Sequence, residues 1–128
     1  MTWLYLLPAG SSGPPARPDR PARRPDALVV VEVKASQDTT TVVITGELDL
    51  TTRWVLTERL SPILHTSPRR LILDMAGAGF MDCSSARLIA GAARFLPEGS
   101  RLIIRRPSRA VRRVLELTGF DAELDIDG

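Results

Sequence analysis

From Leu28 the chain turns rich in β-branched residues, first Leu28-Val-Val-Val-Glu-Val33 and then Thr39-Thr-Thr-Val-Val-Ile-Thr45, with the polar Ser36-Gln37-Asp38 between them. Side chains of this kind favour a pleated backbone, and so short a polar break predicts a hairpin whose second strand ends at Gly46. Asp49 and Thr51 then offer cap oxygens ahead of Leu56, Leu60, Ile63 and Leu64. That spacing predicts a helix over residues 51–66. Pro62 falls inside it, and a proline there removes one backbone hydrogen bond, so the helix is expected to bend or divide.

Arg69-Arg-Leu-Ile-Leu-Asp-Met75 is a short apolar run of the kind found in buried strands, with Gly77-Ala-Gly79 as the turn that ends it. Phe80-Met-Asp-Cys-Ser-Ser85 follows and leads into Ala86, Leu88, Ile89, Ala92, Ala93, Phe95 and Leu96, a second helix capped by Ser84 or its neighbour. Leu102-Ile-Ile104 reads as another buried strand. Pro107-Ser108 opens a third helix with Val111, Val114, Leu115 and Leu117 turned inward, and Gly119 stops it. Ala122 to Ile126 has the character of a short edge strand. The order β-β-α-β-α-β-α, with this last strand, makes an α/β protein of two layers: a mixed β-sheet with helices packed mainly on one face.

Composition narrows the function classes. With 128 residues, 44% of them hydrophobic and 25% charged, the chain suits one domain. The net charge is only +2, and the excess sits before residue 27, where Arg17, Arg20, Arg23 and Arg24 outnumber Asp19 and Asp26. The remainder is balanced, which argues against nucleic acid as a direct partner. Residues 8–26 carry Pro8, Pro14, Pro15, Pro18, Pro21 and Pro25 among Gly, Ser and Arg, a composition too poor in apolar surface to offset chain ordering. The domain division is therefore a disordered tail over 1–26 and a folded domain over 27–128. The opening Trp3-Leu-Tyr-Leu-Leu7 is too short, and lacks the basic flank, for a signal peptide. No apolar run approaches the roughly 18 residues that span a bilayer, so no membrane partner is expected. A lone cysteine, Cys83, favours a reducing, cytoplasmic setting.

Four segments, in this order, resemble the STAS domain family of sulfate transporters and anti-sigma factor antagonists: Gly46-Glu-Leu-Asp49, Leu71-Ile-Leu-Asp74, Phe80-Met-Asp-Cys-Ser84, and the stretch from Pro107 to Phe120. With no apolar run long enough to span a bilayer, the resemblance, which covers about residues 28–126, favours the bacterial, sigma-regulating branch over the transporters. It implies a protein that is no enzyme and needs no cofactor, a monomer or weak homodimer in the cytoplasm. Its partner would be an anti-sigma factor, often a serine kinase with an ATP site, whose capture frees a sigma factor for transcription. In the regulated members that kinase phosphorylates the serine directly after the Asp of the loop entering the second helix. Here that position is Cys83, and Ser85 stands where a glycine is usual, so the family's acceptor is absent from its own place.

The remaining phosphorylation candidates are Ser84 and Ser85, and Asp49, Asp82, Cys83 and Ser84 are the partner-binding candidates. A phosphoryl group on Ser84 would add about 1.5 to 2 negative charges at a helix N-terminus and alter any surface docked there. Each residue also has a plainer reading: the serines as helix caps, Asp49 as the cap of the first helix, Cys83 as a small packing residue. His65, the only histidine, has no acid–base partner placed by sequence. Arg105, Arg106, Arg109, Arg112 and Arg113 form a basic cluster that suits either a solvated face or an acidic partner. Two further readings remain open: a scaffold whose phosphorylation switch has been lost, and a small thiol or nucleotide enzyme. Asp74 lies on an acidic strand like that of nucleotide hydrolases, but the sequence has no phosphate-cradling G-x-x-x-x-G-K-[ST] loop.

Overall fold

A computed structural model describes residues 29–128. The predicted tail and the expected strand start at Leu28 lie outside the described residues. Strands β1 (Val30–Ser36) and β2 (Thr39–Leu48) pair antiparallel from Val30 opposite Thr45 to Ser36 opposite Thr39. The two-residue turn between them is closed by Gln37 and Asp38, Gln37 taking a positive φ of 53°. Helix α1 (Arg53–Thr66), β3 (Arg70–Met81), α2 (Cys83–Phe95), β4 (Arg101–Arg105) and α3 (Arg109–Thr118) follow, and a single 3₁₀ turn leads into β5 (Asp125–Asp127). The sheet order is β1-β2-β3-β4-β5, parallel from β2 onward.

Alternation along the strands places Val31, Val42, Ile44, Leu71, Leu73, Leu102 and Ile104 on one face. They meet Leu56, Leu60 and Ile63 of α1, Ala86, Ile89 and Ala92 of α2, and Val111 and Leu115 of α3 in one buried cluster. The two-layer architecture expected from the element order is what the structure shows. Parallel strands need crossovers, and their common hand carries the helices to a shared side of the sheet.

Several local expectations give way. The glycines do not end β2 or β3. β2 runs through Gly46, which takes φ 115°, and β3 runs through Gly77 and Gly79 with two register shifts against β2. At each shift β3 carries one residue more than its neighbour, which turns Ala78 and then Met81 inward after Met75. A Cβ on Gly77 would lie 3.1 Å from the Thr45 hydroxyl, so this position is held by close strand approach. α1 is a single element through Pro62. The carbonyl that proline leaves without a backbone donor belongs to Glu58, an exposed residue, where solvent can reach it. In α3, Leu117 is exposed rather than inward, since Val111 and Leu115 fill the face that meets the sheet.

Candidate functional site

The C-terminal ends of β2 and β3 lie side by side, with Leu48 opposite Met81, and the Asp82 N–H donates to the Leu48 carbonyl at 3.0 Å. This one hydrogen bond sets the bend entering α2 against the bend entering α1. Asp49 and Asp82, far apart in sequence, become neighbours, and the charge of Asp49 acts on Asp82 to raise its pKa.

Each bend is fastened by its own aspartate. Asp49 Oδ1 accepts from the Thr51 N–H at 2.9 Å, the Thr51 hydroxyl at 2.8 Å and the Thr52 N–H at 3.1 Å. The Thr52 hydroxyl donates to the Glu47 carbonyl at 2.6 Å and accepts from the Asp49 N–H at 3.0 Å. Asp49 thus orders the turn before α1, while Thr52, the residue at the cap position, makes no side-chain cap of its own. The hydrogen bond from the Thr51 hydroxyl, foremost among these contacts, holds the Asp49 carboxyl below the ordinary carboxylate range.

Asp82, not either serine, is the N-cap of α2. Its Oδ1 accepts from the Ser85 N–H at 2.8 Å and from the Ser84 hydroxyl at 3.0 Å. An aspartate three residues before an amide reaches it in the manner that makes Asp a preferred cap, so Ser84 and Ser85 are left to other uses. Partial burial works to raise the Asp82 pKa, but these hydrogen bonds outweigh it and keep the carboxyl below its usual range. Both aspartates therefore stay ionised at neutral pH. Among the described residues, both spend Oδ1 on their own bend, neither Oδ2 has a hydrogen bond, and neither carboxylate meets a cation.

Cys83 is exposed and Ser84 half-buried, whereas Ser85 is fully buried, its hydroxyl near the Asp82 carboxylate without a hydrogen bond of its own. The bend that carries the partner-binding candidates is thus open to solvent, and of the two serines only Ser84 is within reach from outside. Beside it stand two apolar side chains that sequence periodicity had passed over, Leu50 (68% exposed) and Trp54 (59% exposed). A signal was present: Trp54 lies off the stripe of Leu56, Leu60 and Ile63, so a core role could not account for it.

The other candidates lie elsewhere. Asp74, nearly buried on the sheet face away from the helices, pairs with Arg106 and accepts from the Ala76 N–H at 3.2 Å. Burial works to raise its pKa, but the Arg106 guanidinium and that amide outweigh it and hold the carboxyl low. Arg105 sits 4.0 Å from Asp127. Arg109 and Arg113 are exposed on α3, with Arg112 half-buried between them. His65 is exposed near the end of α1, its Nδ1 2.8 Å from the Ser61 carbonyl and its ring 5.9 Å from that of Phe95. Among the described residues no three His, Cys, Asp or Glu side chains converge as for a metal ion, and no helix is long and apolar enough to cross a membrane.

A family model described as the STAS domain matches residues 30–127. No curated protein matches the chain. Among solved structures, an anti-sigma factor antagonist from Mycobacterium paratuberculosis superposes with a TM-score of 0.75 at 22% identity, over 81% of this chain and 88% of that one. The unphosphorylated form of the anti-sigma factor antagonist SpoIIAA gives 0.66 at 22% identity, over 77% of this chain and 89% of that one. At such identities these likenesses establish the fold.

Proposed function

Since the chain belongs to the STAS domain family, its model matching residues 30–127, we propose that it is an anti-sigma factor antagonist, a binding module that captures an anti-sigma factor and so releases a sigma factor. The observation that carries this reading is the solvent-open corner where Asp49 and Asp82 each present an ionised carboxylate whose Oδ2 is bonded by no described residue, beside exposed Leu50, Trp54 and Cys83. Two anions this close repel each other unless a cation arrives, and apolar surface next to them gains by being covered. The same features describe a docking site for a protein with a basic, partly apolar contact surface. Solved structures similar to this chain include proteins described as anti-sigma factor antagonists, which supports the same role. The free, exposed thiol suits a reducing cytoplasm, where we place the protein as a monomer or weak homodimer.

Ser84 is the phosphorylation site in this reading. Ser84 is half-buried and its hydroxyl already donates to Asp82, a carboxylate placed to receive its proton, while Ser85 is enclosed and Cys83 offers a thiol where a kinase requires an alcohol. A phosphoryl group there would bring about 1.5 to 2 further negative charges beside Asp82 and Asp49 and repel whatever their charge had attracted. A second reading is favoured by Cys83 itself: with no serine at the family's position, the domain binds its partner without a phosphorylation switch.

The test is calorimetric titration of the chain with each purified anti-sigma factor of the source genome, followed by incubation with ATP and mapping by mass spectrometry. Saturable one-to-one binding, weakened by Asp82→Asn and by added salt, is expected, with phosphate on Ser84 alone. Absence of binding to every such protein overturns the antagonist assignment. Binding without phosphate on any residue selects the switchless module, and Cys83→Ser then tests whether an acceptor at that position is sufficient to restore the switch.

A further inference from the structure

Helices α1 and α2 both start at the C-terminal edge of the sheet and run parallel, and between them lies an open trough of about 340 Å³. Its walls are Thr57, Leu60, Ser61 and Leu64 from α1, and Leu88, Gly91, Ala92 and Phe95 from α2. On each helix these positions recur at i, i+3, i+4 and i+7, so each contributes one continuous face. Leu60 and Ala92, both buried, form the floor, and the small, exposed Thr57, Ser61 and Gly91 keep the rims low. The ends are marked by exposed aromatic rings, Trp54 at the head of the α1 face and Phe95 at the foot of the α2 face, 58% exposed.

The trough and the charged corner face the same side of the helix pair. At 100° per residue, Ser84 falls on the same face of α2 as Leu88, Gly91 and Phe95, and Trp54 on the same side of α1 as Thr57, Ser61 and Leu64. The uppermost residues lining the channel are Thr57 and Leu88, so the Asp82–Ser84 bend, with the Oδ2 atoms that no described residue bonds, stands about one helical turn above it on the same side. A small polar molecule finds little here beyond the hydroxyls of Thr57 and Ser61 to orient it. The complementary object is elongated, apolar along one side and positively charged at one end.

We propose that the anti-sigma factor lays an amphipathic helix of about three turns, roughly 15 Å, into this trough, with an Arg or Lys at its end over Asp49 and Asp82. The inference rests on the antagonist reading and extends it: recognition is shared between a charged corner, which is where a phosphate on Ser84 would act, and an apolar channel that the phosphate would not touch. Phosphorylation then removes the end contact and leaves a residual apolar affinity.

Gly91 provides the test, because a Cβ built there meets nothing within 4 Å and a larger side chain enters the trough without pressing on the core. The anti-sigma factor that binds the wild-type chain is titrated with Gly91→Leu, Ser61→Glu and Asp82→Asn. Gly91→Leu and Ser61→Glu are each expected to weaken binding about tenfold or more while the thermal midpoint of the antagonist does not fall. Asp82→Asn should weaken it and flatten its dependence on salt. Unchanged affinity in both trough variants, with Asp82→Asn still impaired, overturns the trough and leaves the antagonist reading intact. A wild-type chain that binds no anti-sigma factor removes both. If Gly91→Leu converts a sedimenting dimer of the chain to monomer without altering anti-sigma binding, a second copy occupies the trough and the proposal fails.

Discussion

Asp82 is asked to do two things, to cap α2 and to present charge, and the two separate by substitution. Asp82→Ala removes the acceptor of the Ser85 N–H, a 2.8 Å bond to a residue with no solvent exposure, where water is a poorer replacement than at an exposed cap. Loss of an N-cap ordinarily costs about 0.5 to 2 kcal/mol, and an amide stranded in a buried site puts this one at the upper end, about 2 kcal/mol. Asn caps nearly as well as Asp, so Asp82→Asn gives up only the favourable interaction with the helix dipole, roughly 0.5 kcal/mol, and part of that is returned as the repulsion from Asp49 disappears. Urea unfolding followed at 222 nm should therefore place Asp82→Ala about 1.5 kcal/mol or more below Asp82→Asn, a gap of roughly 10 °C in Tm for a domain of this size. The pH dependence has a definite sign. The folded pKa of Asp82 lies below its ordinary value of 3.8, so the carboxylate's stabilisation is fully present above about pH 4 and fades as the pH falls through the lowered value. The stability difference between wild type and Asp82→Asn should accordingly shrink toward pH 3. Equal losses in the Ala and Asn variants at neutral pH would refute the cap assignment.

Arg106→Ala leaves the nearly buried Asp74 carboxylate without its ion partner, and a loss of about 1–2 kcal/mol is expected, discounted because Arg106 itself is largely exposed. The acid-induced loss of stability that Asp74 contributes, as its lowered pKa is crossed from above, should be smaller in that variant when unfolding is followed between pH 6 and 3 as an order-of-magnitude window. Ser108 both caps α3 through the Val111 N–H and donates to the Ala78 carbonyl at 2.6 Å, so Ser108→Ala should cost about 1–2 kcal/mol in urea unfolding. Ser108→Asp should not rescue it, because a carboxylate has no proton to give Ala78. Gly119 ends α3 at φ 81°, and Gly119→Ala should lower stability by about 1 kcal/mol by the same measurement. Leu115→Ala, at a position with no exposure, should cost about 2–5 kcal/mol.

The element order and the two-layer class were legible because the β-branched runs at Leu28–Val33 and Thr39–Thr45 favour strands, and the spacing of Leu56, Leu60 and Ile63 reflects a helix face that must be buried whatever the partner. Boundaries were less so. Gly46, Gly77 and Gly79 look like stops in one dimension, but in the sheet they supply a positive φ, a close approach to Thr45 and room for the extra residues of β3. Whether a glycine ends a strand or bends it depends on the neighbouring strand, which local sequence does not contain. Pro62 misled for a related reason: its cost depends on whether Glu58's carbonyl is wet.

Of the site, the residue types at Asp49, Asp82, Cys83 and Ser84 could be picked from the sequence, and so could the fact that Cys83 stands where the family places its acceptor serine. What those residues do to one another was settled by folding. The parallel pairing of β2 with β3 brings two bends together that are more than thirty positions apart, by the estimate that a crossover needs at least a helix's length of chain, and so makes a doubly charged corner out of two separate turns. Burial then chose between adjacent serines of identical chemistry, enclosing Ser85 and leaving Ser84 open. The sequence carries side-chain chemistry and local periodicity, which are properties of neighbours along the chain. Proximity, exposure and the trough between two helices belong to contacts across it, and only the tertiary structure decides those.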